Sequence, residues 1–117
     1  MKENDIYNAL SAGSPAPTSA GVRVYPVRMP QDVSMPAICY QRAGVTSTSS
    51  LDGDSGKDLV RFQIDCYAET YAAMKTLAAE VRVALTAIGA LFVSDIDGYE
   101  ADAKLYRETL DYSIWTD

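Results

Sequence analysis

The alternation of apolar and polar residues changes period within residues 61–88. Phe62, Ile64 and Cys66 alternate with polar or charged neighbours, which is typical of a half-buried strand. Further along, the apolar positions recur every three or four residues, which is the period of an amphipathic helix. These positions are Met74, Leu77, Ala78, Val81, Ala84, Leu85 and Ile88. With Thr70 as N-cap and Gly89 beyond its end, a helix is predicted over residues 70–88, directly after a strand.

The N-terminal part predicts shorter elements. Residues 4–12 favour a short amphipathic helix, and the glycines and prolines of residues 13–21 favour an irregular connector. Residues 22–27, VRVYPV, predict a short strand. Because Pro26 has no N–H group, this strand is expected at an edge of the sheet.

A long hairpin is predicted in the middle of the chain. Residues 37–45 form its first strand, and the polar residues 46–58 are expected to be an exposed loop that leads into the next strand. If the hairpin is centred near Leu51, Tyr40 faces Phe62. In the same register, Ile38 faces Ile64, so one face of the pair is apolar.

The C-terminal part predicts two more strands. Residues 90–97 form one, ending at a turn around Asp97 and Gly98, and residues 103–117 form the other. The apolar face of the last strand carries Tyr106, Leu110, Tyr112 and Ile114. The predicted fold is α+β, with two helices on one face of an antiparallel-rich sheet of about four to five strands, in the order α-β-β-β-α-β-β.

Composition limits the chemistry. The 117 residues, 48% of them hydrophobic, fit one globular domain, residues 1–117. Ten basic against sixteen acidic residues give a formal net charge of −6, which disfavours binding to DNA phosphates and favours solubility. With no histidine, Ser-His-Asp and Cys-His catalysis are excluded, and two cysteines supply too few ligands for a zinc site.

The two cysteines are predicted to be free thiols. The sequence begins without the apolar core of a signal peptide and contains no apolar run of membrane-spanning length, so a reducing cytoplasm is expected. Cys66 lies on the apolar face of the predicted hairpin and Cys39 on the opposite face. A disulfide between them is therefore not expected.

Two acidic runs are candidate sites. DGDSGKD, residues 52–58, has carboxylates and glycines, but its spacing departs from a calcium loop, so a solvated loop is the favoured interpretation. DIDGYEAD, residues 95–102, has four acids that could form a carboxylate pair for acid–base work. A turn at Asp97 and Gly98 explains most of that run more simply.

Surplus aromatic residues suggest a protein interface, because tyrosine and tryptophan combine a large apolar body with a polar tip. The hairpin loop adds polar positions that could reach a neighbouring molecule. The candidate interface residues are Tyr25, Leu51, Asp52, Asp54, Lys57, Tyr67, Tyr99 and Trp115.

Several segments together resemble one known family. They are VRVYPVRMPQ, MPAICYQR, SLDGDSGKDLVRFQIDCYAETYAAMKTLAAEVRVAL and LYRETLDYSIW. Their order and spacing over nearly the whole chain resemble the tail completion, or tail terminator, proteins of long-tailed (siphovirus-like) bacteriophages and prophages.

This resemblance implies a subunit without catalysis or cofactor. It implies a hexameric ring in the virion, at the head-proximal end of the tail, assembled in the cytoplasm of the bacterial host. There the ring stops tube polymerisation and joins the head. The implied partners are other copies of the chain, the tail tube protein and a head-completion or connector protein, with no sequence-specific nucleic acid and no membrane.

Two alternatives remain open at this stage. One is another virion connector or tail-tube subunit. The other is a cytosolic ligand-binding or enzymatic α+β domain that uses the acidic cluster of residues 95–102.

Overall fold

The computed structural model describes residues 2–11, 24–27, 35–50 and 53–116. The order of its elements confirms the predicted α+β arrangement. The elements are α1 (Lys2–Ser11), β1 (Val24–Pro26), β2 (Ala37–Ser50), β3 (Gly53–Ala68), α2 (Tyr71–Ala87), β4 (Leu91–Glu100) and β5 (Leu105–Thr116).

The described strands form one five-stranded sheet in the order β1-β2-β3-β5-β4. β1 runs parallel to β2, and every other neighbouring pair is antiparallel. β4 therefore lies at one edge of the sheet. The three residues of β1 cover part of the other edge, where Pro26 lies as predicted.

The prediction of a loop over residues 46–58 was wrong in its extent. β2 and β3 stay paired as far as Ser50 and Gly53, so most of that range is strand. A two-stranded ribbon that is not required to bury either face can be polar throughout. The hydrophobic pattern therefore does not mark its limits.

The predicted register was also wrong. Ile38 lies opposite Cys66 and Tyr40 opposite Ile64, an offset of two residues. Pairing extends to Ser50 opposite Gly53, and β-bulges or similar irregularities shift the register twice along the ribbon. An even offset keeps each side chain on its predicted face, so the apolar face survives the error.

Both helices pack on that apolar face. The six buried positions of α2 are those predicted from its period, Ile88 being the exception. Thr70 caps the helix by accepting a hydrogen bond from the backbone N–H of Ala73 at 3.1 Å. The core beneath the helices combines side chains from every element except β4. Its fully buried sheet residues include Ile38, Phe62, Ile64, Cys66 and Leu110.

The predicted turn at Asp97 and Gly98 is instead part of β4, and the chain turns at residues 101–104. Gly98 lies opposite Arg107. A Cβ at Gly98 would lie 3.4 Å from an Arg107 guanidinium nitrogen, an ordinary van der Waals contact with the end of a flexible side chain. Lys104, with φ 57°, supplies the left-handed residue of the actual turn.

Cys39 and Cys66 are free and buried. Because Cys66 pairs with Ile38, the residue before Cys39, the two thiols lie on opposite faces, as predicted. Burial raises the pKa of both thiols. No helix in the described part of the chain has the length and apolar character needed to cross a membrane.

Candidate interaction site

The most unusual surface of the described chain is the edge strand β4. It pairs with β5 on one side only among the described strands, and its residues 91–97 are all exposed. Ile96 is 69% exposed, although it belongs to a strand. The other exposed large apolar residues of β4 are Leu91, Phe92, Val93 and Tyr99. A long edge with unpaired backbone groups and apolar side chains favours contact with another protein.

Helix packing explains this exposure on one face of the sheet. There α2 lies mainly over β3 and β5 and contacts β4 less. Ile96 pairs with Thr109 and lies on the other face, where no described helix packs. At the start of β4, the Phe92 ring contacts Tyr112 edge-on at 5.6 Å, and the Arg82 guanidinium lies 4.3 Å from the Phe92 ring centre. A register irregularity at Val93 then interrupts the pairing with β5. The apolar positions of β4 are thus divided between both faces of the sheet.

An ionic cluster attaches α2 to this edge. Lys75 Nζ donates to Asp97 Oδ1 and to Glu108 Oε1, both at 2.9 Å. The Tyr71 hydroxyl also donates to Asp97, at 3.1 Å. Burial raises the pKa of Glu108, and Lys75 acts in the opposite direction, whereas the hydrogen bond from Lys75 lowers the pKa of Asp97. These contacts serve to position the helix and β4.

Tyr99 ends β4 in an aromatic cluster. Its ring centre lies 4.9 Å from that of Tyr106, which in turn lies 6.0 Å from Tyr71. Tyr99 remains 54% exposed, so this predicted interface residue does lie on the surface of the edge strand.

The acidic run of residues 95–102 is divided between two places, with Asp95 and Asp97 both beside Glu108, whose pKa they help to raise. Asp97 is bonded to Lys75, and Glu100 forms an ion pair with Arg107. Within the residues that the structure describes, no group of three or more His, Cys, Asp or Glu side chains is placed to hold a metal ion.

Three predicted interface residues lie on the helix-free face of the sheet. Tyr25 and Tyr67 are half-buried there, in β1 and β3. Trp115 is 45% exposed and pairs with Leu59, far along the sheet from Tyr67. The structure therefore does not gather the aromatic candidates into one patch.

The structure does not test the predicted interface residues of the hairpin. Leu51 and Asp52 lie outside the described residues. Asp54 and Lys57 belong to the backbone of β3, but their side chains also lie outside the described part.

Paired polar groups dominate the helix-free face. Asp111 accepts from Arg61 at 3.3 Å and from the Ser94 hydroxyl at 3.2 Å. Asp65 accepts from Thr109 at 2.6 Å and from Gln63 at 3.2 Å. The Arg61 guanidinium on this face is thus neutralised by a neighbouring carboxylate, which is poor chemistry for holding phosphate groups.

Sequence reasoning did not identify β4 as a surface. The run Leu91, Phe92 and Val93 suggests a buried strand, yet Asp95 and Asp97 follow it closely. Acidic residues interrupting an apolar strand are a known property of edge strands. This signal was available in the sequence.

Comparison with known proteins agrees with this architecture. A chain from the virion of a native gene transfer agent (GTA) particle is similar in fold, with a TM-score of 0.75 and 22% sequence identity over 92% of this chain and 88% of that chain. Curated protein sequences give no significant match. The family model for tail completion protein gp17 matches residues 4–117. The chain therefore belongs to the family of phage tail completion proteins.

Proposed function

We propose that this chain is the subunit of a ring, most simply a hexamer, at the head-proximal end of a phage tail. The ring stops polymerisation of the tail tube and offers a surface to the head-completion or connector protein. Membership of the tail completion family supports this role. The similarity in fold to a chain from a gene transfer agent virion is consistent with it.

The observation that carries the proposal is the exposed edge strand β4. Ring subunits need a heterologous interface whose rotation closes on itself. In an isolated subunit the apolar side chain of Ile96 stays exposed, while Asp95 and Asp97 on the same strand oppose unspecific strand pairing. Covering β4 in an assembly buries the apolar side chains and supplies the required contact.

The charges fit a ring through which DNA passes. The chain has a formal net charge of −6, and Arg61 on the helix-free face is paired with Asp111. A channel lined by such a surface would not retain phosphate groups. Sequence-specific binding of nucleic acid forms no part of the proposed role.

Deletion of the gene from the phage or prophage that encodes it tests the function. Lysates of the deletion strain are viewed by negative-stain microscopy, with a plasmid copy as the matched control. The expected result is free heads together with unjoined or overlong tails, both corrected by the plasmid. Normal infectious particles in undiminished number would overturn the proposal.

The amount of protein in each particle provides a second readout. A ring that caps the tail predicts about six copies, in contrast to the many copies of a tube subunit. Quantitative mass spectrometry of purified particles distinguishes the two. A copy number similar to that of the tube protein would contradict the capping role.

A further inference from the structure

We propose that β4 pairs with the outer edge of β2 in a second copy of the chain and thereby joins the two sheets edge to edge. This inference rests on the proposed ring and specifies the surface that closes it. The contact is antiparallel and heterologous, so each subunit uses one edge toward each neighbour.

The free edges are matched in length. β1 pairs with β2 only through Tyr40, whereas β2 continues to Ser50. On that side of β2, residues 41–50 have no described strand as partner, a stretch as long as the 10-residue β4. β1 itself is a poor partner because it has three residues and ends at Pro26, which lacks an N–H group.

Charge distinguishes this pairing from its symmetric alternative. β4 carries Asp95, Asp97 and Glu100, whereas β2 carries Arg42 and no acidic residue. Antiparallel pairing of two β4 strands would bring carboxylates of both copies close together, which is destabilising. β2 has instead an exposed cation, Arg42, and no carboxylate in its sequence.

Strand direction also fits a closed ring. β4 is antiparallel to β5, β5 to β3, and β3 to β2, so β4 and β2 run in opposite directions within one subunit. Rotation about an axis inclined to the strands keeps these directions opposite and shifts β4 along β2, beyond residues 38–40, which β1 covers. β4 then meets β2 of the next copy in antiparallel orientation, whereas a contact between two β4 strands would give a two-fold dimer.

Pairing would also cover the apolar side chains. Ile96 and Val93 are 69% and 48% exposed because no strand lies beyond them in the described chain. A neighbouring strand would supply the cross-strand contacts that they lack. The exposure of β4 is thus explained by a partner that the isolated subunit does not contain.

Cysteine cross-linking in assembled tails tests the contact. Antiparallel pairing of β4 with residues 41–50 sets Ile96 opposite residue 45, so Ile96→Cys is combined in turn with Gly44→Cys, Val45→Cys or Thr46→Cys, which scans the register. Oxidised tails should give a ladder of covalent oligomers from at least one double variant. Tails carrying either single substitution, like wild-type tails, should give monomers on the same non-reducing gel.

Two results would overturn the pairing. One is an abundant dimer from Ile96→Cys alone, which would indicate contact between two β4 strands. The other is the absence of a ladder from every double variant in tails that contain the protein by immunoblot. In either case, microscopy of the same tails tests the proposed function separately. Tails that are capped but show no cross-link would reject this interface and retain the proposed ring.

Ile96→Lys supplies a second test, with Val83→Lys as the matched control. Both positions are exposed apolar residues, but Val83 lies on α2, away from the sheet edge. Ile96→Lys should lower the yield of infectious particles by at least about tenfold, the equivalent of 1.4 kcal/mol, while Val83→Lys retains it. Circular dichroism shows whether each variant is folded. Equal yields from the two folded variants would contradict the proposal.

Discussion

Replacing Lys75 by methionine should destabilise the fold in a pH-dependent manner. Lys75 is the cation that bridges Asp97 and the buried Glu108. Methionine keeps much of the apolar stem and removes the charge. In the variant, Glu108 would remain buried beside other carboxylates without its ionic partner.

The contacts give the expected magnitude. The Asp97 side chain is 43% exposed, so its pair with Lys75 contributes at most about 1 kcal/mol. Glu108 is 4% exposed, and loss of a fully buried partner costs about 3–5 kcal/mol. Because Lys75 itself is 41% exposed, water can reach the gap, and we reduce the total to about 2 kcal/mol at neutral pH.

The pH dependence follows mainly from one of the two carboxyl groups. Burial already raises the pKa of Glu108, and loss of Lys75 should raise it further. The folded variant then binds a proton more readily than the unfolded chain does, so its stability falls as pH rises through this window. Lys75 also lowers the pKa of Asp97, and that stabilisation is complete above the unfolded pKa and is lost only as pH falls through the folded pKa, so it changes little between pH 4 and pH 7. Glu108 therefore carries the difference, and the loss should be larger at pH 7 than at pH 4.

Urea unfolding of the wild type and variant at both pH values measures this loss without adding salt. Glu108→Gln in the variant background is the control and should recover at least half of the stability lost at pH 7. A loss below about 0.5 kcal/mol, within the range of ordinary surface substitutions, would refute the reasoning. A loss of equal size at pH 4 and pH 7 would refute it as well.

Three other predictions concern the core, the thiols and the ribbon. Leu77→Ala should lower the free energy of unfolding in urea by about 2–5 kcal/mol, because Leu77 is fully buried. Val83→Ala, at an exposed position, should lower it by less than about 0.5 kcal/mol. Equal losses from the two variants would show that the core face of α2 is assigned incorrectly. Cys39 and Cys66 should react with a thiol reagent only after unfolding without reductant, and rapid reaction of the folded protein would contradict their burial. Replacing residues 47–56 by an Asn-Gly turn should leave the unfolding midpoint of the subunit nearly unchanged, because this end of the β2–β3 ribbon pairs with no third strand in the described chain. The same replacement should impair tail capping, and infectious particles in normal number would show that the ribbon only connects the two strands.

The core could be predicted from sequence because its pattern is local. The buried face of α2 follows directly from the spacing of residues such as Leu77 and Val81. The faces of β5 follow from alternation in the same way, although Glu108 was not recognised as part of the core face. Its burial depends on Lys75, which lies on another element and far away in sequence.

The candidate site was harder to predict because it depends on position in the sheet. The sequence around Ile96 and Val93 does not indicate that β4 lies at an edge of the sheet or that α2 leaves this strand uncovered. Gly98 beside Asp97 has the composition of a turn, yet both residues lie within β4, where the opposing strand β5 decides the conformation. The register of the ribbon likewise depends on irregularities that leave no simple mark in the sequence.

Cryo-electron microscopy of particles from the encoding phage tests the central claim most directly. The account predicts one ring of this chain at the head-proximal end of each tail, with β4 of every subunit beside β2 of the next. Copies distributed along the tube, or no copy of the chain between tail and head, would contradict it.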